Sequence, residues 1–409
     1  MGLGFSICFP VGNSAAISKE RYTKYFSELP SIVPGWNTTN YFGNDGFCIK
    51  LVPFEEDIYG NWEDGQLRVS ARTNSAGPGY HAFLIGILDA LGVAPTEVED
   101  DTGYWHNRDF GLLQDEMEKW LIGLSGQLLE MSKTGDYNNI SVSLDIENFP
   151  VGSTHFACCP LGCFEPDFFE RITNGEPGGG AFFVWWNHSQ DALFFKNCAL
   201  NLILCDNNWL PPHTDKEHGI ITATLKCLEK AYNMDPCLDY PAAEWLELAK
   251  LSGNEELARW VQSRFGVSEN AKLGYQRGNV SNNINGWQFS RSGKMHFERN
   301  DDGTLVWWNE GRTINASTLS VQRKDGATAD SKALLEQLTA DETGFFPFSL
   351  RNAQIASAIQ HTQIEENGKP LWQTRLYAAL ENEILILSLW YANEADRDWA
   401  TEICASVSR

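Results

Sequence analysis

Several things are scarce in this chain of 409 residues, and each scarcity excludes a class of protein. Apolar runs are short: none reaches the roughly 20 residues that a membrane-spanning helix needs. No basic start leads into an apolar segment, so a secretory leader is not expected and a cytoplasmic location is. Cysteine is thin, ten in the whole chain, too few for a disulfide scaffold at this length. Most sit beside apolar residues, as in Phe47-Cys48-Ile49 and Ile203-Leu204-Cys205, so reduced, buried thiols are expected. In that setting the Asn-x-Ser/Thr triplets at Asn37, Asn139, Asn187, Asn279 and Asn315 carry no glycan. Basic charge is also scarce: 31 Lys and Arg face 54 Asp and Glu, a formal charge of −23. That field repels nucleic acid and anionic lipid, and it suits either plain solubility or capture of a basic protein. The opening Met1-Gly2-Leu3-Gly4-Phe5-Ser6 fits a loose myristoylation pattern, but no basic cluster follows to reinforce a single lipid. A first strand from Leu3 to Phe9 is expected instead. The chain also lacks a Gly-x-Ser-x-Gly elbow, a Walker loop, a dinucleotide fingerprint and a His-Glu-x-x-His pair.

What is present centres on Gln66 to Leu91. Leu67, Val69 and Ala71 alternate as in a strand, and Phe83, Leu84, Ile87, Leu88 and Leu91 keep helical spacing. Between them runs Arg72-Thr73-Asn74-Ser75-Ala76-Gly77-Pro78-Gly79-Tyr80-His81. Two glycines around a proline allow a tight turn, and the free N–H groups at the start of a helix favour an anion. Arg72, Asn74, Ser75, Tyr80, His81 and, further on, His106 are therefore the candidate binding residues. The same pattern also fits a purely structural turn.

Metal binding is not assigned, and no cofactor is expected. The acidic loop Glu55-Glu56-Asp57 through Glu63-Asp64-Gly65 has no calcium-loop spacing. His155-Phe156-Ala157-Cys158-Cys159-Pro160-Leu161-Gly162-Cys163 is the densest group of soft ligands, and its second half would have to be the distant His213 and His218. Packing of these cysteines in the core is the reading adopted.

The fold class is α+β, with a larger mixed α/β-type domain over residues 1–265 that ends in helices. Ser18 caps a helix over Lys19 to Leu29, and a long helix runs from Asp109 to Met131. Ile140 to Ile146 and the apolar run Ala181 to Trp186 read as strands. Gln190 to Phe265 is helical and closes with a hairpin whose second member ends at Gly266. Residues 266–286, rich in Asn, Gly and Ser, have the composition of a linker. From Trp287 onward come three strands, a short helix capped by Asp330, two long strands over Thr362 to Leu380 and Glu383 to Tyr391, and a terminal helix after Asn393. That predicts an antiparallel sheet with two helices on one side.

The order of elements in residues 287–409, with the ending from Leu385 to Val407, resembles the Mog1/PsbP-like fold. The resemblance implies a protein-binding module without catalytic residues, of the kind found in secretion adaptors and chaperones. The first function expected is thus a non-enzymatic interaction protein that neutralises or escorts a basic partner, as an immunity protein or adaptor does. The second is a hydrolase-type enzyme in which His81 or His106 acts as base and Arg72 holds a carboxylate or phosphate.

Overall fold

The computed structural model describes residues 2–12, 17–134, 139–144, 149–268, 270–324, 326–366 and 368–409. The chain divides into two units, one of residues 1–144, 153–207 and 211–274, the other of 145–152, 208–210 and 275–409. Helices and antiparallel sheets occur in both, so the class is α+β.

In the first unit a strand β1 (Gly4–Pro10) leads to helix α1 (Lys19–Ser27), then to strands β2 (Thr39–Phe42), β3 (Gly46–Lys50), β4 (Ile58–Glu63) and β5 (Gln66–Arg72). Helix α2 (Pro78–Asp89), strand β6 (Glu97–Asp100), a single turn α3 (Tyr104–Asn107) and the long α4 (Phe110–Thr134) follow. The six strands form one sheet in the order β2-β3-β4-β5-β1-β6, antiparallel throughout. Alternation makes one face apolar: Ile7, Phe9, Leu67 and Val69 are fully buried there. Helix α1 starts where the Ser18 hydroxyl accepts the Arg21 N–H, and its Tyr22 and Phe26 rings meet Phe9 and Phe47. Helix α2 lies on the same face, its His81 ring edge-on to Phe5. The acidic loop expected after Pro53 is only partly a loop, because Ile58–Glu63 alternates inward and outward as β4.

Three short strands, β7 (Ile140–Ser141), β8 (Ala157–Cys159) and β9 (Gly162–Phe164), make a second small sheet. The strand expected over Ile140 to Ile146 is confined to β7, and residues 145–148 lie outside the described residues. Helices α5 (Pro166–Thr173) and α6 (Gly179–Phe182) follow. The apolar run Ala181 to Trp186 is therefore not a strand. It begins in α6 and continues as irregular chain, which uses its backbone groups on the α2 turn, the Trp185 N–H donating to the Ala76 carbonyl and the Gly79 N–H to the Trp185 carbonyl. Burial alone does not separate a strand from such a segment.

Helices α7 (Ala192–Cys205), α8 (Asp215–Met234), α9 (Ala242–Leu251) and α10 (Glu255–Phe265) complete this unit. Helix α7 is apolar nearly all round and almost wholly buried, as expected of a core helix. Helix α8 opens with a capping box between Thr214 and Glu217. Trp245, Trp260 and Phe265 knit α9 to α10, and α10 ends at Gly266 in the left-handed region.

The second unit opens on the hairpin β10 (Asn279–Ile284) and β11 (Trp287–Ser292). Strand β10 lies inside the stretch whose composition reads as linker. Its other edge is engaged too: the Val151 N–H donates to the Asn279 carbonyl, and the Ser281 N–H to that of Phe149. Strands β12 (His296–Arg299), β13 (Leu305–Asn309), β14 (Arg312–Ser320), helix α11 (Ser331–Thr339), and strands β15 (Phe346–Pro347), β16 (Ala356–Glu366), β17 (Lys369–Leu380) and β18 (Glu383–Tyr391) lead to helix α12 (Arg397–Ala405). The seven strands form an antiparallel sheet in the order β12-β13-β14-β18-β17-β16-β15. Its helices lie on opposite faces, contrary to the expectation of one side. Leu385, Leu387 and Leu389 face Ala400, Ile403 and Cys404 of α12, with Trp287 and Phe289 of the hairpin. Ile384 and Ile386 face Leu334 of α11. Burial on both sides explains the apolar run Ile384 to Leu387 in β18.

Candidate functional site

The turn between β5 and α2 is where the sequence concentrates candidate residues, and its geometry begins with glycine. Gly77 has φ of 104°, open to glycine and strained for other residues. Gly79 lacks a positive φ and is required for space. A Cβ there would stand 2.1 Å from Trp185 Cδ1 and 2.4 Å from the Asn187 carbonyl.

The N–H groups of this turn do hold an anion, and it is the protein's own. Glu55 Oε2 accepts from Ser75 N–H at 2.9 Å and Ala76 N–H at 2.7 Å, and Oε1 accepts from Glu56 N–H at 3.1 Å. Glu55 is only 5% exposed. Burial pushes its carboxyl up to about 7, against the backbone donors, which pull it down. The device recurs, for Glu118 accepts from Gly178 and Gly179 N–H, and Glu244 from Lys272 and Leu273 N–H. Part of the acidic excess is thus internal backbone support. Nothing local in Glu55-Glu56-Asp57 marks which carboxylate turns inward.

His81 is completely buried. Its Nδ1 is 2.9 Å from Thr73 Oγ1, and its Nε2 is 3.2 Å from Thr102 Oγ1 and 3.4 Å from Asp100 Oδ1. The Thr102 hydroxyl donates to Asp100 Oδ1 and the Trp105 N–H to Oδ2. Burial alone would raise the Asp100 carboxyl, but hydrogen bonding and charge from His81, with the Trp105 and Thr102 donors, hold it far below the usual range. The group joins a histidine, a carboxylate and two hydroxyls. With His81 fully covered, it is sealed from any substrate. Asp100 and Thr102 were missed because they lie about twenty positions beyond His81, and Thr73, in the same turn as His81, because nothing local marks which hydroxyl turns inward.

The other candidates scatter. Tyr80 is fully buried and its hydroxyl has no partner among the described residues; burial, then the charges of Glu55 and Asp57, raises its pKa. The Asn74 Oδ1 is buried beside Gly2, likewise without a partner among the described residues. Ser75 takes part through its backbone. His106 is exposed at the end of α3, and it is Tyr104 whose ring meets His81. Arg72 points outward, its guanidinium 3.2 Å from Glu56 Oε1. Arg72, His81 and His106 do not share a cleft. Among the described residues no group of three or more His, Cys, Asp or Glu side chains is placed to hold a metal.

Arg72 instead borders a groove of about 490 Å³ over the outer face of the six-stranded sheet. The register explains it. Tyr59, Ser70, Ser6 and Glu99 lie in one row across β4, β5, β1 and β6, so small residues floor the groove between larger walls. Glu56, Asp57, Glu99 and Asp101 supply four carboxylates to its lining and Arg72 a cation, and the Arg68 guanidinium donates to the Ser6 hydroxyl at its floor.

No known protein family matches the chain, and no curated protein sequence does. Among solved structures, one from Bacteroides thetaiotaomicron VPI-5482 aligns at a TM-score of 0.26 and 10% identity, over 30% of this chain. The chain spans 44% of that protein's length. The solution structure of the cyanobacterial PsbP protein CyanoP from Synechocystis sp. PCC 6803 aligns at 0.18 and 7% identity, over 35% of this chain and 98% of that one. The likeness to a PsbP protein is weak and partial, and it defines no function. No described helix is long and apolar enough to cross a membrane.

Proposed function

We propose that this protein is a non-enzymatic interaction protein that binds a basic protein partner, neutralising or escorting it in the manner of an immunity protein or adaptor. The observation that carries the reading is the acidic groove on the outer face of the first sheet, with Glu56, Asp57, Glu99 and Asp101 around Arg72, on a chain of charge −23. Each exposed carboxylate contributes little alone, under about 1 kcal/mol per pair. Several acting together accelerate encounter with a cationic surface and select against acidic partners. The hydrolase reading is less favoured: of its two candidate bases, His81 is buried and hydrogen-bonded on both ring nitrogens, and the exposed His106 stands apart from Arg72 at the end of α3.

The test is affinity capture from the native cell followed by reconstitution with the purified partner. The expected result is a stoichiometric complex with a basic protein that weakens as salt rises and loses at least about tenfold in affinity, about 1.4 kcal/mol, in the Glu56→Lys, Glu99→Lys double variant. A reconstituted partner that is neutral or acidic, or affinity unchanged in that variant, overturns the proposal.

A further inference from the structure

The hairpin of β8 and β9 sets Cys158 directly opposite Cys163, and their sulfurs lie 3.3 Å apart. Facing residues on antiparallel strands keep their Cα atoms about 4.5–5.5 Å apart, within the range of about 4.4–6.8 Å that a disulfide spans. The sulfurs need approach by only roughly 1 Å to reach bonding distance. No disulfide joins them in this structure. The neighbouring Cys159 pairs with Gly162 and so has no thiol across the ladder.

The two thiols are not equivalent. Cys158 is buried and Cys163 half-buried, so a reagent reaches Cys163 first. The hydrogen bond with Cys163, then burial, holds the Cys158 thiol in its protonated form. His155 stands near Cys163, its Nδ1 2.7 Å from Glu165 Oε1. That hydrogen bond pushes the imidazole toward its charged form, with a further contribution from Cys163, and a neighbouring cation favours a thiolate.

We propose that Cys158 and Cys163 are a dithiol modification site that takes up a reversible intrachain disulfide from a small-molecule disulfide such as oxidised glutathione. The Cys163 thiolate attacks one glutathione sulfur, breaking the glutathione S–S bond and releasing one glutathione thiolate. Cys158 gives its proton to that thiolate and attacks Cys163 Sγ, displacing the second glutathione, which takes a proton from water to replace the one Cys163 had lost. Two protein thiols are oxidised to one disulfide, and one glutathione disulfide is reduced to two thiols. The product clips together a hairpin whose turn is already tied to α7 by the Asn201 side-chain amide, which donates to the Pro160 carbonyl.

The experiment incubates the full-length protein in glutathione buffers of rising oxidised fraction, quenches with an alkylating agent and maps the peptides by mass spectrometry. A linked Cys158–Cys163 peptide that dithiothreitol reverses is expected. Cys158→Ser should trap glutathione on Cys163, and Cys163→Ser should leave Cys158 unmodified. Alkylation of both residues in wild-type protein after equilibration with excess oxidised glutathione overturns the site, and that measurement stands even where a serine variant fails to fold. Glutathione trapped on Cys158 in place of Cys163 overturns the order of attack.

Discussion

Glu55 Oε2 sits 2.7 Å from the Ala76 amide nitrogen, which puts an internal carboxylate where an external anion was expected. Its folded pKa of about 7 lies above the ordinary 4.5, so the folded state binds the proton more tightly than the unfolded chain does. The stability this contributes is complete below about 4.5 and is lost as pH rises through about 7, a span of about 3 kcal/mol. Glu55→Gln keeps a carbonyl acceptor and removes the titration. Denaturant melts at pH 5 and pH 8 should therefore show wild type losing stability relative to Glu55→Gln as pH rises. A constant difference between the two curves would show that Glu55 does not titrate in this window. Glu55→Ala should cost roughly 1–3 kcal/mol at pH 5, through unsatisfied N–H groups, and less at pH 8, because it too lacks the titration.

Arg72 and His81, both candidate binding residues, should separate cleanly on mutation. Arg72 is exposed and paired with an exposed Glu56, so Arg72→Ala should shift stability by less than about 1 kcal/mol while changing partner binding at the groove. His81→Ala should destabilise by roughly 1–3 kcal/mol, because Thr73, Thr102 and Asp100 all lose a buried partner. Thermal melts beside a binding assay check both. Equal melting losses in the two variants would contradict this division.

What the sequence made legible was local. The caps at Ser18 and Asp330 and the stop at Gly266 are decided within three residues or fewer along the chain, and the residue types announce them. Glu55 was illegible because it meets Ser75 and Ala76 twenty and more positions away, and its neighbour Glu56 looks identical in sequence. Ala181 to Trp186 misled because an apolar run reports burial but not backbone geometry. The two-sided sheet was written in Ile384 to Tyr391, where both alternating sets are apolar but for Ser388. A one-sided reading ignored half of them.

Gly79 supplies a packing test independent of backbone strain. With Trp185 filling the position of a Cβ, Gly79→Ala forces the indole or the helix start to move, at a cost of about 1–3 kcal/mol. Trp185 Nε1 also donates to the Ser189 carbonyl, so its displacement breaks a second contact. Tryptophan fluorescence and melting of Gly79→Ala should change together. A variant as stable as wild type would mean that the Trp185 segment yields freely. Gly86, with nothing near its Cβ position, is the control, and Gly86→Ala should be neutral or stabilising by up to about 1 kcal/mol.

The last expectation concerns where the chain can be cut. Residues 266–286 have a uniform linker composition, but their backbone groups are not uniformly free. Lys272 and Leu273 N–H bond to Glu244, and Asn279–Ile284 is paired on one side with β11 and on the other with residues 149–151. Proteases need an unpaired segment, so within residues 266–286 the first cleavage should fall upstream of Lys272, yielding fragments of roughly 270 and 140 residues. The downstream fragment starts before β10 but lacks 149–151, which leaves one edge of β10 without its two backbone bonds. Once separated, it should be less stable than the same region in the intact chain and prone to pair through that edge. Limited proteolysis with mass mapping, then size-exclusion chromatography of residues 275–409 expressed alone, checks both steps. First cuts inside Asn279–Ile284 would contradict the pairing, and a fragment as stable as the intact region would show that residues 149–151 contribute nothing to it.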